Sequence, residues 1–296
     1  MSKFYNNVKT ALLLGLMTAL ILWIGSFWGT NGLIIATVMA GVMNFVSFFF
    51  SDKIALASMR AQEVGPGHKL YHITEQLVAR ANMPMPRVYV SPQPAPNAFA
   101  TGRSPKHAAV CATEGLLHML DDHEVAGVMA HELAHVKHRD ILIQSVAATI
   151  GGAISMLGYM FMFGGGGRRD GEGAHPIAGL LVLLLGPLAA GLIQAAISRS
   201  REFNADKVGG EIVGDPMALA TALEKIHHGA RQIPMDVNPA FNSMFIAEPL
   251  NPMRSVANLF QTHPPIEQRL LNLIGRESTG AVLGGVPRMR RGAMTW

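Results

Sequence analysis

Charge is scarce in this chain and cysteine almost absent. Asp, Glu, Lys and Arg make up 15% of its 296 residues, against about 25% in an ordinary soluble domain. So little charge points to a membrane rather than to a water-soluble globule. The single cysteine, Cys111, excludes an intrachain disulfide and fits a reducing compartment. Net charge is only +4, which offers no argument for nucleic acid as a partner. No internal repeat is evident.

What the chain does have is uncharged apolar sequence. Residues 11–29 and 33–50 carry no charge, and each approaches the roughly 20 residues a helix needs to cross a bilayer. Only Thr30-Asn31-Gly32 separates them, which predicts a tight helical hairpin. No small-residue cleavage site follows the first segment and a second one begins at once, so an uncleaved anchor is expected. Residues 141–163 and 177–197 form a second uncharged pair, joined by the glycine-rich polar stretch 164–173. Lys3, Lys9, Lys53, Arg60, Lys137, Arg139, Arg199 and Arg201 fall on one side of a four-span arrangement, with only Arg168 and Arg169 on the other. That bias turns the termini and the polar domain to the cytoplasm.

The polar sequence lies in residues 51–140 and 198–296. Residues 51–81 read as one helix, ending before Pro84 and Pro86. Residues 87–90 and 108–111 read as short strands around the turn-rich stretch 91–105. Asp121 with Glu124 three residues on resembles a capping box, starting a helix expected to run unbroken into the third span. The tail, 276–296, has no clear period and is expected to be loosely ordered beside the bilayer. The chain thus divides into a hairpin (1–50), a first polar part (51–140), a second hairpin (141–197), a second polar part (198–275) and the tail.

One pentapeptide carries the chemistry: His131-Glu132-Leu133-Ala134-His135. Histidines four apart stack one turn above each other on a helix, so both imidazoles reach one metal ion. Glu132 sits about 60–100° around the helix from them, within reach of a water at such an ion. The pattern is expected by chance far less than once in a chain with 12 histidines. A catalytic zinc site takes three protein ligands and keeps one position for water. His138 lies about 10 Å from His131 along the helix, too far to share an ion. Asp140, about 180° around an unbroken helix from His131, is expected only to pair with a nearby arginine at the membrane boundary. Glu202 and Asp206, in Arg201-Glu202-Phe203-Asn204-Ala205-Asp206, are again four apart. One of them can bind metal while the other holds a ligand histidine. Two membrane crossings return this segment to the side of the motif.

The N-terminal hairpin, the 131–135 motif, the 201–206 segment and Thr262-His263-Pro264-Pro265 together resemble the HtpX family of membrane zinc proteases, relatives of the type I CAAX prenyl proteases. The resemblance covers roughly residues 1–275. It implies a mainly α membrane protein, with four transmembrane helices and a cytoplasmic α+β zincin-like (gluzincin) protease domain. It implies one Zn2+ per chain on His131, His135 and Glu202, with Glu132 as catalytic base and Asp206 supporting His131. It also places the His263 loop near the cleft, where His263 is a candidate oxyanion donor. The implied work is quality control of unfolded or damaged membrane proteins in the bacterial inner membrane.

An extended substrate needs a strand to lie against. Asn97-Ala98-Phe99-Ala100, between the two short strands, are expected to present an open sheet edge that pairs with peptide backbone. Proteolysis inside the bilayer is disfavoured, because Asp121, Asp122, Lys137, Arg139 and Asp140 flank the motif. A transporter is disfavoured by spans without ionisable groups. Processing of prenylated proteins and a non-hydrolytic zinc-stabilised membrane scaffold are the alternatives that stay open.

Overall fold

The N-terminal apolar sequence folds as a helical hairpin, although Thr30-Asn31-Gly32 lie in the first turn of the second helix rather than between the two. In the computed structural model, α1 (Lys3–Ser26) and α2 (Gly29–Phe49) pack on each other, and both are long and apolar enough to cross a membrane. Residues 3–27, 29–163, 199–230, 232–235, 237, 239–247 and 264–275 are described. The fourth apolar segment (177–197), His263 and the 276–296 tail lie outside them. The outer faces of α1 and α2 keep Leu12, Trp23, Ile34, Ile35 and Val38 exposed, as lipid-facing helices do. Between the helices, Asn44 Nδ2 donates to Thr18 Oγ1 at 2.8 Å, a polar tie that fixes their register where water is scarce.

The stretch expected as one helix from 51 to 81 is three elements. Helix α3 (Ser51–Ser58) ends where Arg60 turns left-handed (φ 50°). Strand β1 (Gln62–Val64) follows, and α4 (Lys69–Ala81) begins after Gly65-Pro66-Gly67. Proline with two flanking glycines ends a helical run. Strands β2 (Arg87–Ser91) and β4 (Ala108–Thr113) match the expected pair, and the turn-rich stretch between them contains a further strand, β3 (Ala98–Gly102). The sheet runs β1-β2-β4-β3; β2 and β4 are parallel and both outer pairs antiparallel.

Strands β2, β3 and β4 are largely buried on both faces, with period-two side chains dividing them. Val88, Ala98, Ala100, Val110 and Ala112 face a core shared with α4 and α6 (Asp122–His138). Tyr89, Phe99, Ala109 and Cys111 face α3, Phe241, Met244 and Phe245. Burial pushes the Cys111 thiol far up, so it stays an inert apolar group. Short helix α5 (Glu114–Met119) leads into α6, which starts with the expected capping box: Asp121 Oδ1 accepts from Glu124 N at 2.9 Å, and Glu124 Oε2 from Asp121 N at 3.0 Å.

Helix α6 does not continue into the next apolar segment. It stops at Arg139, left-handed at φ 61°, and α7 (Asp140–Phe163) starts afresh. The break re-aims Asp140, with consequences below. Leu142, Ile143, Val146, Ala147 and Ile150 of α7 pack on Leu13 and Met17 of α1. Helices α8 (Arg199–Val213), α9 (Pro216–Ala230) and α10 (Ile266–Ile274) complete the described α-helices, and a 3-10 helix (Pro239–Met244) precedes the last.

Candidate active site

Helices α6 and α8 approach unusually closely, and glycine permits it. A Cβ added to Gly209 would lie 2.9 Å from His131 N and 3.0 Å from its Cα, closer than real Cβ contacts allow. The backbones therefore nearly touch beside the motif, and Glu202, two turns before Gly209, meets the histidines across the gap. His131, His135 and Glu202 each offer a ligand atom there, all within 4.8 Å of one another and all buried.

Their separations suit a small tetrahedral ion. His131 Nε2 is 3.2 Å from His135 Nε2. Glu202 Oε1 is 3.5 Å from His135 Nε2 and Oε2 is 3.9 Å from His131 Nε2. Tetrahedral zinc, with bonds of about 2.0–2.2 Å, spaces its ligand atoms about 3.3–3.6 Å apart. The donor chemistry agrees. His131 Nδ1 is 2.9 Å from Asp206 Oδ1, and His135 Nδ1 is 3.3 Å from Asp140 Oδ2. Carboxylates only accept, so each Nδ1 donates its proton outward and each Nε2 turns a lone pair inward. Two imidazole nitrogens and a carboxylate crowd one dry spot, and a cation, whether proton or metal ion, relieves that crowding.

The titration of these groups follows. Burial pushes His131 down to about 4, against the pull of Asp206. For His135 burial acts in the same direction, but the charges of Glu202, Asp140 and Glu132 override it and raise it to about 9. The carboxylates thus draw positive charge to this spot. Burial raises Glu132 to about 7; His135 opposes that, Glu202 adds to it, and a backbone hydrogen bond from Ala100 lowers it. A buried carboxyl near neutrality is able both to take and to give a proton.

Two supporting groups escaped the sequence reading. Asp140 pairs with Arg201 as expected, at 3.6 Å, yet it also holds His135. The expectation that it points away fails because it assumed an unbroken helix, and the turn at Arg139 resets the phase. Asp140 Oδ1 accepts from Asn6 Nδ2 at 2.9 Å as well, which fastens the start of α1 beside the centre. Arg269 of α10 is the second. Its Nε and Nη2 donate to Asp206 at 2.9 and 2.6 Å, and Nη1 to the Ile246 carbonyl at 3.1 Å. Burial works against the Asp206 charge, but Arg269 outweighs it and holds that carboxyl down to about 2. A signal existed: Arg269 shares the apolar face of Ile266, Leu270 and Leu273, where a charge is either buried with a partner or out of place.

Strand β3 is the sheet edge beside Glu132, but it is not open. The Ala98 carbonyl accepts from Ile246 N at 3.0 Å, and Asn97 Nδ2 donates to the Ala247 carbonyl at 2.9 Å. Ala100 is engaged by Glu132, and Gly102 N lies 3.4 Å from Ser145 Oγ. Phe99 points away from this edge into the second core, against Phe245.

Two buried histidines and a glutamate, grouped beside a second glutamate on a helix backed by a sheet, define a metal-dependent peptidase. Comparison with known proteins agrees. The model of Peptidase family M48 matches residues 66–277. A "Protease HtpX homolog" of Desulforapulum autotrophicum is 51% identical over 276 residues, covering 90% of this chain and 89% of the relative. Another, from Burkholderia ambifaria, is 51% identical over 282 residues, covering 93% and 99%. The crystal structure of S. mikatae Ste24p aligns with 92% of this chain and 66% of its own, at TM-score 0.48 and 19% identity, a likeness too distant to carry chemistry across. The chain belongs to peptidase family M48 and is a membrane metalloprotease.

Proposed function

We propose that the chain is a zinc endopeptidase of the bacterial inner membrane that cleaves misfolded or damaged membrane proteins at the cytoplasmic face. His131, His135 and Glu202 would hold the ion. Bound there, zinc supplies Lewis-acid polarisation of the scissile carbonyl and lowers the pKa of a water towards about 7. Glu132 takes the proton from the attacking water and returns it to the leaving amine. Ala100 N–H keeps that carboxylate aimed. Asp206 and Asp140 fix the two imidazoles, and Arg269 fixes Asp206. The substrate backbone lies along Asn97–Ala100 once the 245–247 segment moves aside, and pairing through backbone tolerates many sequences. His263 remains the candidate for a further donor to the oxyanion.

The observation that carries this reading is the convergence of His131, His135 and Glu202 from two helices. The orientation is supported by Asn6 beside Asp140, which sets the lysine-bearing start of α1 on the same side as the centre. Glu132→Gln in the full chain, assayed in detergent, is the test. Zinc content should hold while cleavage of an unmodified misfolded membrane protein falls about 10²–10⁴-fold. Unchanged cleavage would sink the hydrolytic role of Glu132. A wild-type preference for a prenylated peptide would move the substrate class to prenyl-protein processing.

A further inference from the structure

Where α2 leaves the apolar layer and becomes α3, the structure holds a cavity of about 500 Å³ that proteolysis does not use. One wall is aromatic, formed by Phe45, Phe49 and Phe50 with Phe48 behind. Phe45 and Phe49 are exposed and continuous with the outward face of α2. The other wall is cationic: Lys53, Arg87, Arg103 and Lys106, with His107 at its margin. Asp52 is its only carboxylate, and Asp52 Oδ2 is taken by Arg87 Nη2 at 2.7 Å. Three cations beyond that pair therefore face one space. Among the described residues, none of the three has a carboxylate within ion-pair distance. Aromatic faces steady two of them, with Arg103 5.5 Å from the Phe49 ring centre and Lys53 5.1 Å from that of Phe50.

A group that fits carries negative charge at one end and apolar chain at the other, and it enters from the side of the membrane span. We propose that this cavity binds the headgroup of an anionic phospholipid in the leaflet next to the peptidase domain. Its phosphodiester sits among Lys53, Arg103 and Lys106, and its first acyl carbons lie against Phe45 and Phe49. Basic pockets at this level of a membrane helix suit anionic headgroups, while aromatic rings suit the interface. An acidic peptide would satisfy the cations but not the aromatic wall, which opens towards lipid rather than water. Arg103 directly follows β3, the strand whose Ala100 holds Glu132. A bound lipid therefore ties that strand to the bilayer.

The proposal needs α2 to cross the membrane but not the zinc chemistry. The test uses the full chain in nanodiscs of phosphatidylcholine carrying a few percent phosphatidylglycerol, with retained lipids counted by native mass spectrometry. Wild type should retain phosphatidylglycerol well above its bulk share. Lys53→Gln, Arg103→Gln and Lys106→Gln should each lower that enrichment about fivefold, and the triple change should abolish it. Arg199→Gln, at a residue that does not line the cavity, should leave it unchanged. Melting temperature in zwitterionic detergent should stay level, because Lys53 and Lys106 are exposed. Undiminished enrichment in the triple variant overturns the proposal. Displacement of the lipid by inorganic phosphate or by an acidic peptide also overturns it, because neither has acyl chains for the phenylalanine wall. A chain that does not enter nanodiscs at all refutes the spanning of α2 and the lipid site with it, while leaving the zinc chemistry untouched.

Discussion

Arg269 grips Asp206 with two hydrogen bonds, Nε to Oδ2 at 2.9 Å and Nη2 to Oδ1 at 2.6 Å, across 63 residues of sequence. Asp206 in turn receives the Nδ1 proton of His131 at 2.9 Å. The last described helix thus reaches an imidazole of the candidate metal site through one carboxylate, and all three side chains are buried.

Arg269→Met should strand Asp206 as a lone buried charge. Removing one partner of a buried pair costs about 3–5 kcal/mol, and loss of imidazole support weakens metal about 10–100-fold. Competition with a chromophoric chelator and thermal unfolding read the two effects separately. Metal affinity equal to wild type would limit Arg269 to packing.

Asp140→Asn tests the other histidine. The substitution keeps the shape while removing the charge that His135 Nδ1 and Arg201 both face. Zinc affinity should fall about tenfold or more, with the far-ultraviolet circular dichroism spectrum unchanged. An unaltered affinity would return Asp140 to the purely boundary role its sequence position suggested.

Gly209→Ala probes the close approach of α6 and α8. The added methyl meets backbone atoms of His131 at 2.9 and 3.0 Å, and backbone yields little. Overpacking of this kind costs about 1–3 kcal/mol. Because the strain falls on the ligand helix, metal content should drop more than for an alanine at exposed Lys207. Equal effects at both positions would mean the contact is softer than it looks.

Chelation should lower the melting temperature of wild type, since a ligand bound only to the folded chain stabilises it by mass action. Glu202→Ala should begin near the chelated value and show little further change with chelator. A full zinc complement in that variant would remove Glu202 from the ligand set.

Much of the centre was legible because helical spacing is local. The 131–135 motif and the 202/206 pair each declare a shared face by four-residue spacing, and the capping box at Asp121 fixes where their helix begins. The strands expected at 87–90 and 108–111 were visible as short apolar runs between turns, and run to Ser91 and Thr113. The two helices expected to run unbroken stop at Arg60 and Arg139, which adopt left-handed backbone at residues that seldom do so. Nothing in their type announces it; only the first break had a visible sign, Gly65-Pro66-Gly67. Arg139 mattered most, because the break in helical phase there decided whether Asp140 faced His135.

By itself the sequence determined an apolar hairpin, a histidine pair at metal-binding spacing with a glutamate between, and a carboxylate pair at the same spacing, since each depends only on neighbours within a turn or a span. Which carboxylate meets the histidines, and which holds them, was decided by tertiary structure. Glu202 reaches the imidazoles and Asp206 stands behind one of them because a glycine lets two helix backbones nearly touch. Asp140 and Arg269 arrive from elements remote in the chain, and only packing brings such charges to a common buried point.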